Sequence, residues 1–130
     1  KVGVLPNIPF GDEYFDVIFS SDVIEHLLTE DIDKSLEEIH RVTTEECNIF
    51  LDIALVPESH RPGNWKPVYE KNNLENLHTA LISSDEWIDK IKKCNFNIEK
   101  SDLYYQPKGQ MINNKDYSGK EGCLTLHLTK

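Results

Sequence analysis

The sequence predicts a single α/β domain with about four strands, three of them parallel and the last one reversed, and two main helices. Apolar strand-like runs alternate with amphipathic helical segments over most of the 130 residues, which is the order of βαβ units. The last two strand-like runs have no helix between them. Parallel neighbours need a long crossover and hairpin neighbours do not, so this order of elements predicts the strand directions.

The first strand is predicted over residues 15–20. Its core, Phe15 to Phe19, is an apolar run of β-branched and aromatic residues, which is typical of a strand buried on both faces of a parallel sheet. Pro6 and Pro9 lie upstream and are incompatible with a helix or strand interior. We therefore expect an irregular approach to this strand.

The first helix is predicted from Glu30 to Val42, with Thr29 as its N-cap. Ile32, Leu36 and Ile39 continue into Val42 at helical spacing and define an apolar stripe. The charged side chains of the opposite side are expected to face water: Asp33, Lys34, Glu37, Glu38 and Arg41. A polar break over residues 43–46 is predicted to separate this helix from a second strand over residues 47–56.

Residues 57–82 have little periodicity and are predicted to form a long loop or lid. Its aromatic and basic residues could line an acceptor pocket, or they could simply cover the edge of the sheet. These residues are His60, Arg61, Trp65, Tyr69 and His78. Both interpretations are open.

Regular structure resumes at Ser83, because Ser83 and Glu86 form a capping-box pattern. The helix that follows is expected to end near Asn95. A third strand is predicted over residues 96–105, an exposed turn over residues 106–119, and a last strand over residues 121–129. In that last strand leucines alternate with more polar residues, so one face should be buried.

Composition restricts the classes of function. The chain has 23 acidic and 14 basic residues and a formal net charge of −9, which disfavours a broad phosphate-binding surface and hence a nucleic-acid partner. No apolar run approaches the roughly 20 residues of a membrane-spanning helix. No secretory signal is seen, and the three cysteines show no paired spacing, so we expect a cytoplasmic protein with free thiols and no membrane partner.

A polar cluster follows the first predicted strand: Ser20, Ser21, Asp22, Glu25 and His26. Ligands of open α/β sheets bind at the carboxyl ends of strands, so this cluster is the candidate site. Helical spacing would place Asp22, Glu25 and His26 on one face, where they could bind a divalent metal. Alternatively, Asp22 and Glu25 form a capping box, or His26 acts at an acceptor as a general base or by shaping its pocket.

Four segments together resemble class I S-adenosylmethionine-dependent methyltransferases of the type-11 kind: residues 5–10, 12–27, 36–42 and 78–87. The resemblance covers nearly the whole chain, from the family's fourth strand to its last, and implies the C-terminal half of a Rossmann-like methyltransferase sheet. The family's glycine-rich loop, which contacts the cofactor, has no counterpart here. We therefore expect residues 1–130 to be one partial methyltransferase domain without the glycine-rich N-terminal half.

The resemblance implies methyl transfer from S-adenosylmethionine to a small-molecule acceptor, as part of a longer enzyme. It assigns Leu5, Ser20, Ser21 and Asp22 to the cofactor and His26 to catalysis at the acceptor. Two local departures weaken it, because Gly3-Val4 replaces an acidic position before Leu5 and residues 43–46 replace a Lys-Pro-Gly-Gly turn.

Without the family's preceding strands, the strand at residues 15–20 would be an exposed apolar sheet edge, and such an edge needs a partner. The alternative prediction is therefore a non-catalytic, truncated methyltransferase fold that forms a homodimer through this strand.

Overall fold

The computed structural model describes residues 1–55, 82–109, 111–112, 115–116, 119 and 121–130, with only the backbone for 111–112 and 115–116. Of the predicted loop 57–82, only Ile82 is among the described residues. The rest of the loop, including all five candidate pocket side chains, lies outside them. Within the described part of the chain, no helix is long and apolar enough to cross a membrane.

Four strands form the main sheet in the order β1-β2-β6-β3. They are β1 (Phe15–Ser21), β2 (Thr43–Ala54), β3 (Asn97–Tyr105) and β6 (Glu121–Thr129). β1 and β2 are parallel, whereas β6 runs antiparallel to both of its neighbours, β2 and β3. Three strands thus share one direction and the last is reversed, which confirms the predicted fold class.

In the described part of the chain two helices connect these strands, α1 (Thr29–Val42) and α2 (Ser84–Lys93). A single 3₁₀ turn, Ile24–His26, lies between β1 and α1. The predicted capping box of α2 is present: Ser83 Oγ accepts from the Glu86 backbone N–H, and the Glu86 carboxylate accepts from the Ser83 N–H at 2.8 Å. Local sequence signals therefore set the start of α2.

Both helices contribute to one hydrophobic core on one face of the sheet. The predicted stripe of α1 is buried there, together with Cys47, Ile49, Leu51 and Ile53 of β2 and the leucines of β6. Trp87 of α2 is fully buried in this core, although its indole N–H has no hydrogen-bond partner among the described residues. We call this side of the sheet the covered face.

The opposite side, which we call the open face, carries the even-numbered residues of β2 and the side chains in register with them. Val17 and Phe19 of β1 are 61% and 74% exposed, and Phe50 of β2 is 39% exposed. The prediction that residues 15–20 are buried on both faces is therefore wrong, because no residue of β1 is buried in this chain.

Three predicted boundaries need correction. α1 begins at Thr29, so Thr29 is not its cap, and the N-cap residue Leu28 makes no side-chain cap bond. Residues 43–46 are strand rather than a break, because Thr43 pairs with Phe15 and the neighbouring Tyr14 N–H donates to the Val42 carbonyl. The predicted turn 106–119 contains a small hairpin of β4 (Met111–Ile112) and β5 (Lys115–Asp116).

Glu38 and Arg41 of α1 do not simply face water as predicted. The Arg41 guanidinium contacts Glu38 at 2.7 Å and Asp12 at 2.6 Å, and it donates to the carbonyls of Ile8 and Phe10. Glu38 Oε1 also accepts from the Ile8 backbone N–H at 2.9 Å. These two side chains therefore attach the proline-rich N-terminal segment to the end of α1.

Candidate active site

The carboxyl end of β1 lies beside β2 and carries three of the predicted site residues. Ser20 and Ser21 are half-buried and pair with Leu51 and Asp52. Asp22 follows in the left-handed region with φ 52°, and its backbone N–H donates to the Asp52 carbonyl at 3.0 Å. This conformation is uncommon for a residue with a side chain, and it ends the strand while leaving Asp22 exposed.

Glu25 is turned inward instead of lining the surface with Asp22. Its side chain is fully buried, and Oε1 accepts from the backbone N–H of Ala54 at 2.9 Å. The second oxygen, Oε2, is buried without a hydrogen-bond partner in the described part of the chain. Glu25 therefore attaches the 3₁₀ turn to the end of β2.

These positions correct two of the sequence-based alternatives. The predicted capping box is absent, because Val23 is the N-cap residue of the turn and no side chain caps it. The shared helix face is also absent, because Asp22 lies before the turn and is exposed whereas Glu25 is buried. Among residues that the structure describes, no group of three or more His, Cys, Asp or Glu side chains could hold a metal ion, so the metal interpretation has no geometric support.

His26 is the last residue of the 3₁₀ turn and is half-buried next to Glu25. Its backbone N–H donates to the Val23 carbonyl at 3.1 Å. The turn is fixed to β2 only one residue earlier, through Glu25, so the backbone position of His26 is well defined. Its role at an acceptor stays a prediction.

Asp52 is the functional candidate that sequence reasoning missed. Its carboxylate accepts from Cys123 Sγ at 2.6 Å, from Thr125 Oγ1 at 3.3 Å and from Ser21 Oγ at 3.4 Å. Burial, and then the hydrogen bond to Asp52, raise the pKa of the Cys123 thiol to about 11. Cys123 is therefore a neutral thiol at physiological pH that donates to the carboxylate.

The Asp52 cluster, defined as Ser21, Asp52, Cys123 and Thr125, joins three strands across the open face. β1 contributes one residue, β2 one and β6 two, and register places them side by side. The signal in the sequence is weak, since an aspartate within an apolar strand marks a polar site but does not identify its partners. Those partners are about 30 and 70 residues distant in sequence.

Leu5 lies on the N-terminal segment that Glu38 and Arg41 hold in place. It is half-buried and packs against the edge of the core. The hydrogen bonds from Arg41, followed by the Ile8 backbone N–H, lower the pKa of the Glu38 carboxyl to about 2. This ion pair, which stays charged over the ordinary pH range, thus anchors Ile8 and Phe10 of the segment that carries Leu5.

The donor set at the end of β1 fits one side of a pocket for S-adenosylmethionine. Asp22 offers an exposed carboxylate, which suits the amino, hydroxyl or sulfonium groups of such a cofactor. Because the Asp22 N–H points to β2, alternation along the strand directs the backbone groups of Ser21 away from β2. The Ser21 hydroxyl is already bound to Asp52, so the backbone of Ser21 is its available polar group.

Comparison with known proteins shows that the N-terminal part of this chain is similar to a known domain. Residues 1–51 match the family model of the methyltransferase domain, and these residues include β1, the 3₁₀ turn, α1 and most of β2. No curated protein sequence matches the chain. The predicted site residues from Leu5 to His26 lie within the matched segment, whereas the candidate pocket residues of the loop do not.

Solved methyltransferase structures have the same fold. A candidate methyltransferase of Bacillus halodurans superposes with a TM-score of 0.66 at 14% identity, over 95% of this chain and 73% of that one. An S-adenosylmethionine-dependent methyltransferase of Thermotoga maritima gives 0.62 at 18% identity, over 98% and 62%. A phosphoethanolamine N-methyltransferase of Haemonchus contortus, solved with S-adenosylhomocysteine, gives 0.54 at 21% identity, over 72% and 20%.

These findings confirm the predicted resemblance to class I S-adenosylmethionine-dependent methyltransferases. The methyltransferase-domain match and the fold support methyl transfer as the general class of activity. The chain spans less than two thirds of the Thermotoga and Haemonchus proteins. At these identities the structural likeness shows the fold alone.

Proposed function

We propose that this chain serves S-adenosylmethionine-dependent methyl transfer to a small-molecule acceptor, as part of a longer enzyme. The observation that carries the proposal is the polar carboxyl end of β1, at Ser20, Ser21 and Asp22. It lies at the edge of the sheet where α/β folds bind ligands, and it belongs to the segment that matches the methyltransferase domain.

The residues at this end have separate tasks in the proposal. When bound, S-adenosylmethionine supplies an activated methyl group on its sulfonium. The backbone groups of Ser21 and the carboxylate of Asp22 bind and orient the cofactor, Ser20 holds this strand end against β2, and Leu5 provides an apolar contact. The protein's contribution is mainly positioning, because a correctly oriented pair of reactants removes much of the entropic cost of the reaction.

His26 is placed on the acceptor side in this proposal. An imidazole can accept a proton from an acceptor hydroxyl or amine near neutral pH, which makes histidine a suitable general base. The link from Glu25 to Ala54 holds the turn that carries His26. The net charge of −9 favours a small molecule over a nucleic acid as the acceptor.

Calorimetric titration of the chain with S-adenosylmethionine tests the cofactor assignment. We expect weak, saturable binding that Asp22→Asn weakens by about tenfold, since a charge-assisted hydrogen bond contributes about 1.5 kcal/mol. Asp89→Asn is the matched control, because Asp89 is an exposed carboxylate on α2, and it should bind like the wild type. His26→Gln should also leave the cofactor affinity unchanged, because His26 is assigned to the acceptor.

Two results would contradict the proposal. If no heat of binding is measured at millimolar S-adenosylmethionine, the chain does not bind the cofactor. Equal losses of affinity in Asp22→Asn and Asp89→Asn would show a nonspecific charge effect instead of a site at the end of β1.

A further inference from the structure

Asp52 of β2 contacts two of the predicted cofactor residues at the end of β1. Its backbone carbonyl accepts from the Asp22 N–H at 3.0 Å, and its carboxylate accepts from the Ser21 hydroxyl at 3.4 Å. The first contact is made with the residue whose backbone is left-handed, at φ 52°. Asp52 is therefore joined, through both its backbone and its side chain, to the strand end that is proposed to bind the cofactor.

The half-buried Asp52 carboxylate is bound by neutral groups. Oδ1 accepts from Cys123 Sγ at 2.6 Å and from Thr125 Oγ1 at 3.3 Å, while Oδ2 accepts from the Ser21 hydroxyl. The Cys123 thiol stays neutral at physiological pH, because its pKa is raised to about 11. Thiol and hydroxyl donors orient a carboxylate but bring no positive charge to it. The Asp52 cluster therefore keeps a negative charge within the sheet.

Several other carboxylates of the domain are neutralised by a basic side chain. They lie within 2.7 Å of it, in the pairs Glu38–Arg41, Asp33–Lys90 and Asp102–Lys100. Among the described residues, neither Asp52 nor the exposed Asp22 belongs to an ion pair. Two adjacent carboxylates of one strand end thus add their fields, and such a field favours a positively charged ligand over a neutral one.

The two forms of the proposed cofactor differ by one positive charge. In methyl transfer a lone pair of the acceptor forms the new bond to the methyl group, and the acceptor then loses a proton. The electron pair of the broken S–CH₃ bond stays on sulfur, so the cationic sulfonium becomes a neutral thioether. The other charges of the two forms are the same. A nearby negative charge therefore favours binding of the reactant over binding of the product.

We propose, on the basis of the proposed function, that the negative charge of Asp52 determines the preference of this site for S-adenosylmethionine over S-adenosylhomocysteine. Asp22 offers the cofactor a direct contact, whereas Asp52 acts from the neighbouring strand through its field. Its role is therefore one of specificity between reactant and product. The consequence is that the spent cofactor is exchanged for a fresh one more readily.

Calorimetric titration of the full chain with each form of the cofactor measures this preference. Asp52→Asn keeps the size of the side chain, and its amide oxygen can still accept from Cys123 and Thr125. We expect this variant to lose about threefold in affinity for S-adenosylmethionine relative to S-adenosylhomocysteine, since a charge that makes no direct contact contributes a modest Coulomb energy. Asp102→Asn is the matched control, because Asp102 is in register with Thr125 but lies on β3 and is paired with Lys100. It should leave the ratio of the two affinities unchanged.

The ionic strength of the titration provides a second measurement, which needs no variant. Raising the salt from about 20 mM to about 500 mM screens charges that act at a distance. In the wild type this should lower the affinity for S-adenosylmethionine more than that for S-adenosylhomocysteine, and in Asp52→Asn the difference should be smaller. A wild-type ratio of affinities that does not depend on salt would overturn the proposal.

The outcomes separate this role of Asp52 from the proposed function. If the wild type binds neither form of the cofactor, the proposed function fails and the role of Asp52 fails with it. If the wild type binds both forms and Asp52→Asn changes the two affinities equally, cofactor binding stands but the charge of Asp52 does not set the preference. An equal change of the ratio in Asp102→Asn would also overturn the proposal, because it would show a nonspecific effect of net charge.

Discussion

Leu51 and Phe50 are neighbours on β2, yet they meet opposite environments. Leu51 is 1% exposed on the covered face, among the side chains of α1, α2 and the leucines of β6. Phe50 is 39% exposed on the open face and stacks on His127 with ring centroids 4.7 Å apart. One face of the sheet therefore carries the apolar core, and the other carries the Asp52 cluster.

The difference between the faces explains how the domain combines stability with a site. Apolar burial, the dominant favourable term in folding, is concentrated on the covered face. The open face is free to hold polar groups, and its register places Ser21 beside Asp52 and Cys123.

Truncation of Leu51 and of Phe50 to alanine should give very different losses of stability. Leu51→Ala removes fully buried methyl groups and should lower the free energy of unfolding by about 2–5 kcal/mol. Phe50→Ala loses only a partly exposed ring and one stacking contact, so we expect a loss of about 1 kcal/mol. Urea denaturation, followed by circular dichroism, measures both. Equal losses would mean that the open face is as well packed as the covered one.

The Glu38–Arg41 pair, which joins the N-terminal segment to α1, makes the stability of the domain sensitive to acid. The pKa of Glu38 is lowered from 4.5 to about 2, so the stabilisation that it provides is fully present above pH 4.5 and is lost as the pH falls to about 2. Glu38→Gln should therefore be less stable than the wild type at neutral pH, and the difference should shrink across this interval. Urea midpoints of both proteins at several pH values test this. A difference that does not depend on pH would exclude the linkage.

The Asp52 cluster should control the reactivity of Cys123 on the open face. Burial and the Asp52 carboxylate raise the pKa of Cys123 from 9.0 to about 11, whereas the Thr125 hydroxyl lowers it. Asp52→Asn should therefore speed alkylation of Cys123 at mildly alkaline pH, and Thr125→Val should slow it. Peptide mapping by mass spectrometry separates Cys123 from Cys47 and Cys94. Changes of the same sign in both variants would contradict the geometry of the cluster.

The ion pair between α1 and α2 should have the smallest effect. Lys90 contacts Asp33 at 2.6 Å, but the Asp33 side chain is 42% exposed. Exposed pairs are screened by water, so Asp33→Asn should lower the free energy of unfolding by less than about 1 kcal/mol. Asp89→Asn, at an exposed position on α2, provides the reference. A loss comparable to that of Leu51→Ala would show that the helices are held by charge more than by the core.

Sequence reasoning predicted the elements whose signals are local. The apolar stripe from Ile32 to Val42, the capping box at Ser83 and the alternating leucines of β6 each report on a few adjacent residues, and all three are confirmed. The order of these elements was sufficient to predict the directions of the strands. Periodicity is a strong predictor here because the core on the covered face buries one side of α1, α2, β2 and β6.

The features that were mispredicted depend on contacts between distant residues. Residues 43–46 are polar, but pairing with β1 extends them as strand. The left-handed backbone of Asp22 ended the helical spacing that the capping-box and metal interpretations assumed. Arg41 and Asp52 have partners about 30 residues away or more, so neither network could be inferred from spacing along the chain.

An NMR titration of the isotopically labelled chain with S-adenosylhomocysteine tests directly whether the cofactor binds at the end of β1. We expect the amide shifts to concentrate at the carboxyl end of β1, at Ser20, Ser21 and Asp22, while the small hairpin of β4 and β5 is unaffected. The absence of shifts at millimolar ligand, or shifts centred away from this strand end, would contradict the assignment of the site.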